Sequence, residues 1–120
     1  MNSHTAFRIS AVLGFLAVAL GAFGAHGLKA TLEANGQAGT WQTAAHYHLV
    51  HAVAMLLVAT LQPLRRAAWW LMFGGVLIFS GTLYALALTN VKWLGAITPI
   101  GGASLLAGWL ALAFRKARQE

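Results

Sequence analysis

The residue types with chemical capacity gather in one stretch, His46-Tyr47-His48-Leu49-Val50-His51, near the start of a long apolar run. His26 closes the apolar run before it. Ionisable groups within a hydrocarbon layer are expensive and mark either function or a specific pairing. At 100° per residue, His48 and His51 fall on one face of a helix, while His46 points away from them. A shared site built from His26, His48 and His51, with Tyr47 beside it, is therefore expected at the outer end of a helix hairpin.

Three ligand chemistries suit such a group. Two imidazoles from different helices can hold a b-type haem if the pocket admits the macrocycle. Zinc or copper would want three or four ligands, and no carboxylate is close in sequence, so no metal site is assigned. A quinone or lipid head group needs only one or two hydrogen-bonding groups in an apolar cleft. Without any ligand, the same imidazoles would bond backbone carbonyls or one another across helices and fix the register of the bundle.

Other chemistry is poorly supplied. Cysteine is absent, which removes thiolate nucleophiles, disulfides and cysteine-ligated metals. The only acids are Glu33 and Glu120, neither inside an apolar run, so no carboxylate pair serves acid–base catalysis or proton pumping. Phe79-Ser80-Gly81 faintly resembles the serine of an intramembrane protease, but Ile78 stands where the preceding glycine belongs. No catalytic residue is assigned, and no cofactor is required.

The elements that must position these groups follow from composition. Of 120 residues, 59% are hydrophobic and 8% charged, too much apolar material for a soluble domain this small to hide. The apolar residues come in blocks, giving a single four-helix transmembrane domain, 1–120, with spans near 9–25, 41–61, 67–89 and 93–114. The first block also mimics a secretory signal, with Arg8 ahead of it and Ala22-Phe23-Gly24 near its end resembling a small-residue cleavage site, and is expected to be kept as a helix. A short interfacial helix is expected near 29–34, and Pro63 stops the second span. In the fourth span, Pro99 either kinks a continuous helix or starts one capped by Thr98; the kink is preferred.

The net charge of +6 lies beside the apolar blocks and forms no stripe with stacking aromatics, so nucleic acid is not a partner. Arg8, Arg65, Arg66, Arg115, Lys116 and Arg118 fall on one side, against Lys29 and Lys92 on the other. This places both termini in the cytoplasm. Trp41, Trp69, Trp70, Trp93 and Trp109 fall near span ends, as a boundary belt would. Small residues mark the helix-packing faces: Ala17, Gly21 and Ala25, then Gly81 and Ala85, then Ser104 with Gly108, and Ala107 with Ala111. Packing within the bundle is the preferred reading, with a homo-oligomer or a larger membrane complex as the alternative use of some of these faces.

Five motifs appear in order: Gly21-Ala22-Phe23-Gly24-Ala25-His26-Gly27-Leu28, Tyr47-His48-Leu49-Val50-His51-Ala52, Phe79-Ser80-Gly81-Thr82-Leu83-Tyr84, Gly95-Ala96-Ile97-Thr98-Pro99-Ile100-Gly101-Gly102, and Gly108-Trp109. Nearly the whole chain thereby resembles the YgdD-like family of small bacterial inner-membrane proteins. That family is also called domain of unknown function 423 and is similar to transmembrane protein 256 of mitochondria. The resemblance implies a four-helix integral membrane protein for which no activity, substrate or cofactor is established. The expected role is non-enzymatic: an accessory or structural protein of the inner membrane. The alternative is a redox-associated protein holding quinone, lipid or b-haem at the outer-side histidines.

Overall fold

Every regular element in the computed structural model, which describes residues 1–114, is helical. They are α1 (Ser3–Ala25), α2 (Lys29–Asn35), α3 (Ala38–Ala59), α4 (Arg66–Thr89), a 3-10 segment (Lys92–Ala96) and α5 (Thr98–Ala113). The basic tail, with Arg115, Lys116, Arg118 and Glu120, lies outside the described residues. The expected polar leader is helical from Ser3, because the Asn2 side chain accepts the Thr5 N–H at 2.8 Å and caps the first turn.

The turns obey local chemistry. Gly36 adopts the left-handed conformation (φ 67°) that ends α2, with the Gln37 N–H reaching back to the Leu32 carbonyl. Asn90 (φ 58°) ends α4 in the same way. Asn35 donates to the Ala87 and Leu88 carbonyls at 2.9 and 3.2 Å, so α2 is fastened over the open end of α4. Pro99 does not kink a continuous helix. It occupies the first turn of α5, where its missing N–H costs nothing, and the 3-10 segment supplies the approach.

Along the chain α1 packs on α3, α3 on α4 and α4 on α5. The polarity is inverted relative to a water-soluble protein. Many large apolar side chains face outward, with Phe15 at 72% and Leu106 at 68% exposure, whereas Ser10, His48, His51, Ser80 and Thr98 are buried in the interior. Lipid supplies no hydrophobic force between helices, so close backbone approach and interhelical hydrogen bonds hold them together. Three segments, Ser3–Ala25, Arg66–Thr89 and Lys92–Ala113, are long and apolar enough to cross a membrane. By composition α3 falls short of that standard, because its N-terminal half carries the exposed Gln42, Thr43 and His46.

The packing faces differ in part from expectation. Ser104 donates its hydroxyl to the Leu71 carbonyl at 2.7 Å, and a Cβ on Gly108 would lie 2.9 Å from Met72 Cγ, so both sit on the α4–α5 seam. Gly21 faces Ala45, whose Cβ would be 3.9 Å away. Gly81 is not at a helix contact: a Cβ there would meet nothing within 4 Å, because the residue faces a groove. The tightest approaches are at Gly75 and Gly101, where α4 and α5 meet backbone to backbone, and at Gly24, which lies under the Trp41 indole.

The indole belt is also smaller than expected. Trp70 and Trp93 are half or more exposed, as a boundary role requires. Trp41 and Trp69 are buried, because each indole N–H is used inside the bundle: on the Leu20 carbonyl at 2.8 Å and on the Ser10 hydroxyl at 3.0 Å.

Candidate functional site

The three histidines expected to meet do not share a pocket. The antiparallel register of α1 and α3, fixed by Gly14 opposite Ala52 and Gly21 opposite Ala45, sets His26 about 12 Å along the axis from His48. His26 caps the end of α1, exposed beside Phe23 and Gly27. His48 and His51 are adjacent on α3 but diverge across it, one to α4 and the other to α5. A three-residue angular step looks small on one helix, yet it turns the two rings toward residues of different helices.

His51 is committed at both ring nitrogens. Nδ1 lies 2.8 Å from the Tyr47 carbonyl one turn earlier, and Nε2 lies 3.0 Å from the Trp109 indole nitrogen. An indole can only donate and a carbonyl can only accept. The proton of His51 is therefore on Nδ1, and Nε2 accepts from Trp109. The ring is a neutral bridge from α3 to α5.

His48 is 4% exposed, with Nδ1 2.9 Å from the Tyr84 hydroxyl on α4. Tyr84 in turn packs against Trp41, ring centroids 4.7 Å apart. Its other nitrogen, Nε2, is buried with no hydrogen-bond partner. Next to it, Ser80 spends its hydroxyl proton on the Ala44 carbonyl at 2.8 Å, so it is a helix tie, not an activated nucleophile. His46 is exposed, as its angular position predicts.

Two grooves flank the central pair of helices. One, about 420 Å³, runs between α3 and α5 and is lined by Tyr47, His51, Phe79, Gly102, Leu106 and Trp109 among others. That volume lies within the range of small-molecule sites. The other, about 140 Å³, lies between α1 and α4 with His48 among its lining residues and Gly81 and Tyr84 along its side. Tyr47 and His51 thus belong to one groove and His48 to the other. Among the described residues no three His, Cys, Asp or Glu side chains are placed to hold a metal ion.

The hidden polar partners of these histidines were the part sequence reasoning missed. Tyr84 and Trp109 both stand in the recognisable motifs, but nothing in their spacing reveals which histidine they meet.

A family model described as protein of unknown function DUF423 matches residues 20–102. The chain is 40% identical over 110 residues to UPF0382 membrane protein YwdK of Bacillus subtilis, covering 87% of this chain and 89% of that one. It is 40% identical over 114 residues to UPF0382 inner membrane protein YgdD of Escherichia coli, covering 91% and 86%. A UPF0382 membrane protein of Staphylococcus haemolyticus is 41% identical over 108 residues, covering 87% and 88%. No solved structure matches the chain.

Proposed function

Because this chain belongs to the DUF423 family, whose relatives are membrane proteins, we propose a four-span inner-membrane protein with both termini cytoplasmic and a non-enzymatic, accessory role. On this reading α3 is the fourth span, carried across by neighbours that cover its buried imidazoles. The observation that carries the role is the use made of the polar side chains. His51, Ser80, Ser104 and Trp69 each tie one helix to another and are left with no evident reacting partner. Such ties make a fixed scaffold, and scaffolds in membranes act through what they hold.

The topology is supported by the Arg66 guanidinium, which donates to the Met1 carbonyl at 3.0 Å and joins the N-terminus to the α3–α4 turn at one end. The basic residues at that end mark it as cytoplasmic. Partners on this reading are the bilayer and a larger membrane complex or further copies of the chain. Extraction in mild detergent followed by native electrophoresis tests it: the protein should migrate with a larger assembly. Migration as a lone protomer, together with substrate turnover lost in His48→Ala, would overturn the role.

A second reading is a lipid- or quinone-binding, redox-associated protein, favoured by the apolar groove between α3 and α5 beside Tyr47 and His51. A b-type haem suits the geometry less, since His51 has both nitrogens engaged and His26 and His48 face different surroundings. Mass spectrometry of small molecules extracted from the purified protein separates the two readings.

A further inference from the structure

Helices in lipid turn polar side chains inward, because a carboxamide or imidazole facing hydrocarbon has nothing to bond. On its free side α3 departs from that rule. Gln42 and His46 are exposed there, and among the described residues neither side chain has a hydrogen-bond partner. The ring contact of His46 is with Tyr47 on its own helix, edge-on with centroids 5.7 Å apart.

The register against α1 fixes how deep they lie. With Gly14 opposite Ala52 and Gly21 opposite Ala45, His46 is level with Leu20, about 8 Å below the end of α1. Around that level α1 shows the bilayer Val18 and Phe23, 62% and 58% exposed, so His46 lies at hydrocarbon depth. The two polar residues also belong to a pattern. Gly39, Gln42, His46, Leu49 and Val53 are all exposed and recur at alternating intervals of three and four, the spacing of a helix–helix seam. At its outer end, a Cβ added to Gly39 would meet nothing within 4 Å, which leaves room for a second backbone to come close.

We propose that this face of α3 forms a two-fold seam with the α3 of a second copy, closed by hydrogen bonds from Gln42 and His46. Copies inserted with the same topology bring their α3 helices together in parallel, so each seam residue meets its own counterpart. A carboxamide carries both donor and acceptor, and an uncharged imidazole likewise, so each of the two positions complements itself. An unlike helix would need matching polar groups at both depths, whereas an identical one has them by construction. The seam rests on the four-span reading above and names one partner within it, a further copy of the chain.

The test places single cysteines in the full chain in membranes and oxidises them with copper phenanthroline. Leu49→Cys and Val53→Cys should form disulfide-linked dimers. Val18→Cys on α1 and Leu106→Cys on α5, both at more exposed positions, should stay monomeric. Self-association is then measured by energy transfer between labelled copies diluted in liposomes. Gln42→Leu and His46→Leu should each weaken it about three- to tenfold, the worth of a hydrogen bond between helices in lipid. Their helical circular dichroism should match the wild type, since neither side chain bonds within the chain. Equal cross-linking at Val18→Cys and Leu106→Cys, a lone protomer at every dilution, or full self-association in both leucine variants would overturn the seam. So would cross-linking of Leu49→Cys and Val53→Cys to a different chain in place of a second copy. Val53→Cys also separates the two readings. If a water-soluble maleimide labels it in permeabilised membranes, α3 does not cross and the four-span reading falls with the seam. If it stays unlabelled while no dimer forms, the seam falls alone.

Discussion

Replacing Gly101 by alanine should loosen the bundle, although alanine is the better helix former. A Cβ at Gly101 would collide with the Phe79 backbone nitrogen, lie 2.8 Å from the Phe79 Cα and 3.0 Å from the Gly75 carbonyl oxygen. Ordinary contact begins at 3.4 Å, so α5 must retreat from α4 by about 0.6 Å or more. Backbone atoms have no alternative rotamer, and the shift also disturbs the neighbouring Thr82–Thr98 hydroxyl pair, 2.7 Å apart. Overpacking costs about 1–3 kcal/mol, and colliding backbones belong at the upper end. Removing glycine from a helix returns about 0.5–1 kcal/mol. The expected net loss is about 2 kcal/mol. Gly81→Ala is the matched control: with nothing to meet within 4 Å, it should gain about 0.5–1 kcal/mol. Both are measured by reversible unfolding in mixed micelles, followed by helical circular dichroism. If Gly101→Ala were as stable as the wild type, or Gly81→Ala lost as much as Gly101→Ala, the assignment of the α4–α5 seam would be wrong.

Three further outcomes follow from the same contacts. Trp109→Phe removes the donor to His51 and should cost about 0.6 kcal/mol and no more than about 1.7, read as the coupling in a double-mutant cycle with His51→Phe. Zero coupling would show that the bridge between α3 and α5 carries no stability. Asn35→Ala frees the Ala87 and Leu88 carbonyls and should cost about 1 kcal/mol, with faster amide hydrogen exchange across α2; unchanged exchange would refute the fastening. The natural absence of cysteine makes single-cysteine labelling clean. Val91→Cys should react with an impermeant maleimide in intact cells and Thr60→Cys only after permeabilisation; the reverse pattern would invert the topology.

Local composition alone determined the solvent, the helical class and the punctuation of this chain. Apolar blocks of spanning length cannot be hidden by so small a protein, and the turn at Gly36 with Asn90 is written in residues that tolerate positive φ. The resemblance to the family rested on short motifs, and the matching family model and relatives bear it out. What no local pattern supplied was direction. Helical spacing gives the angle of a side chain about its own axis, not the identity of the neighbour standing at that angle. His48 and His51 therefore read as one site and are two, while Gly81 and Gly101 are the same residue type in similar surroundings of sequence, one facing a void and the other a backbone. Trp41 and Trp69 read as boundary residues because they lie near helix ends. They are interior because carbonyl and hydroxyl acceptors on α1, distant in sequence, come within reach only when the helices pack.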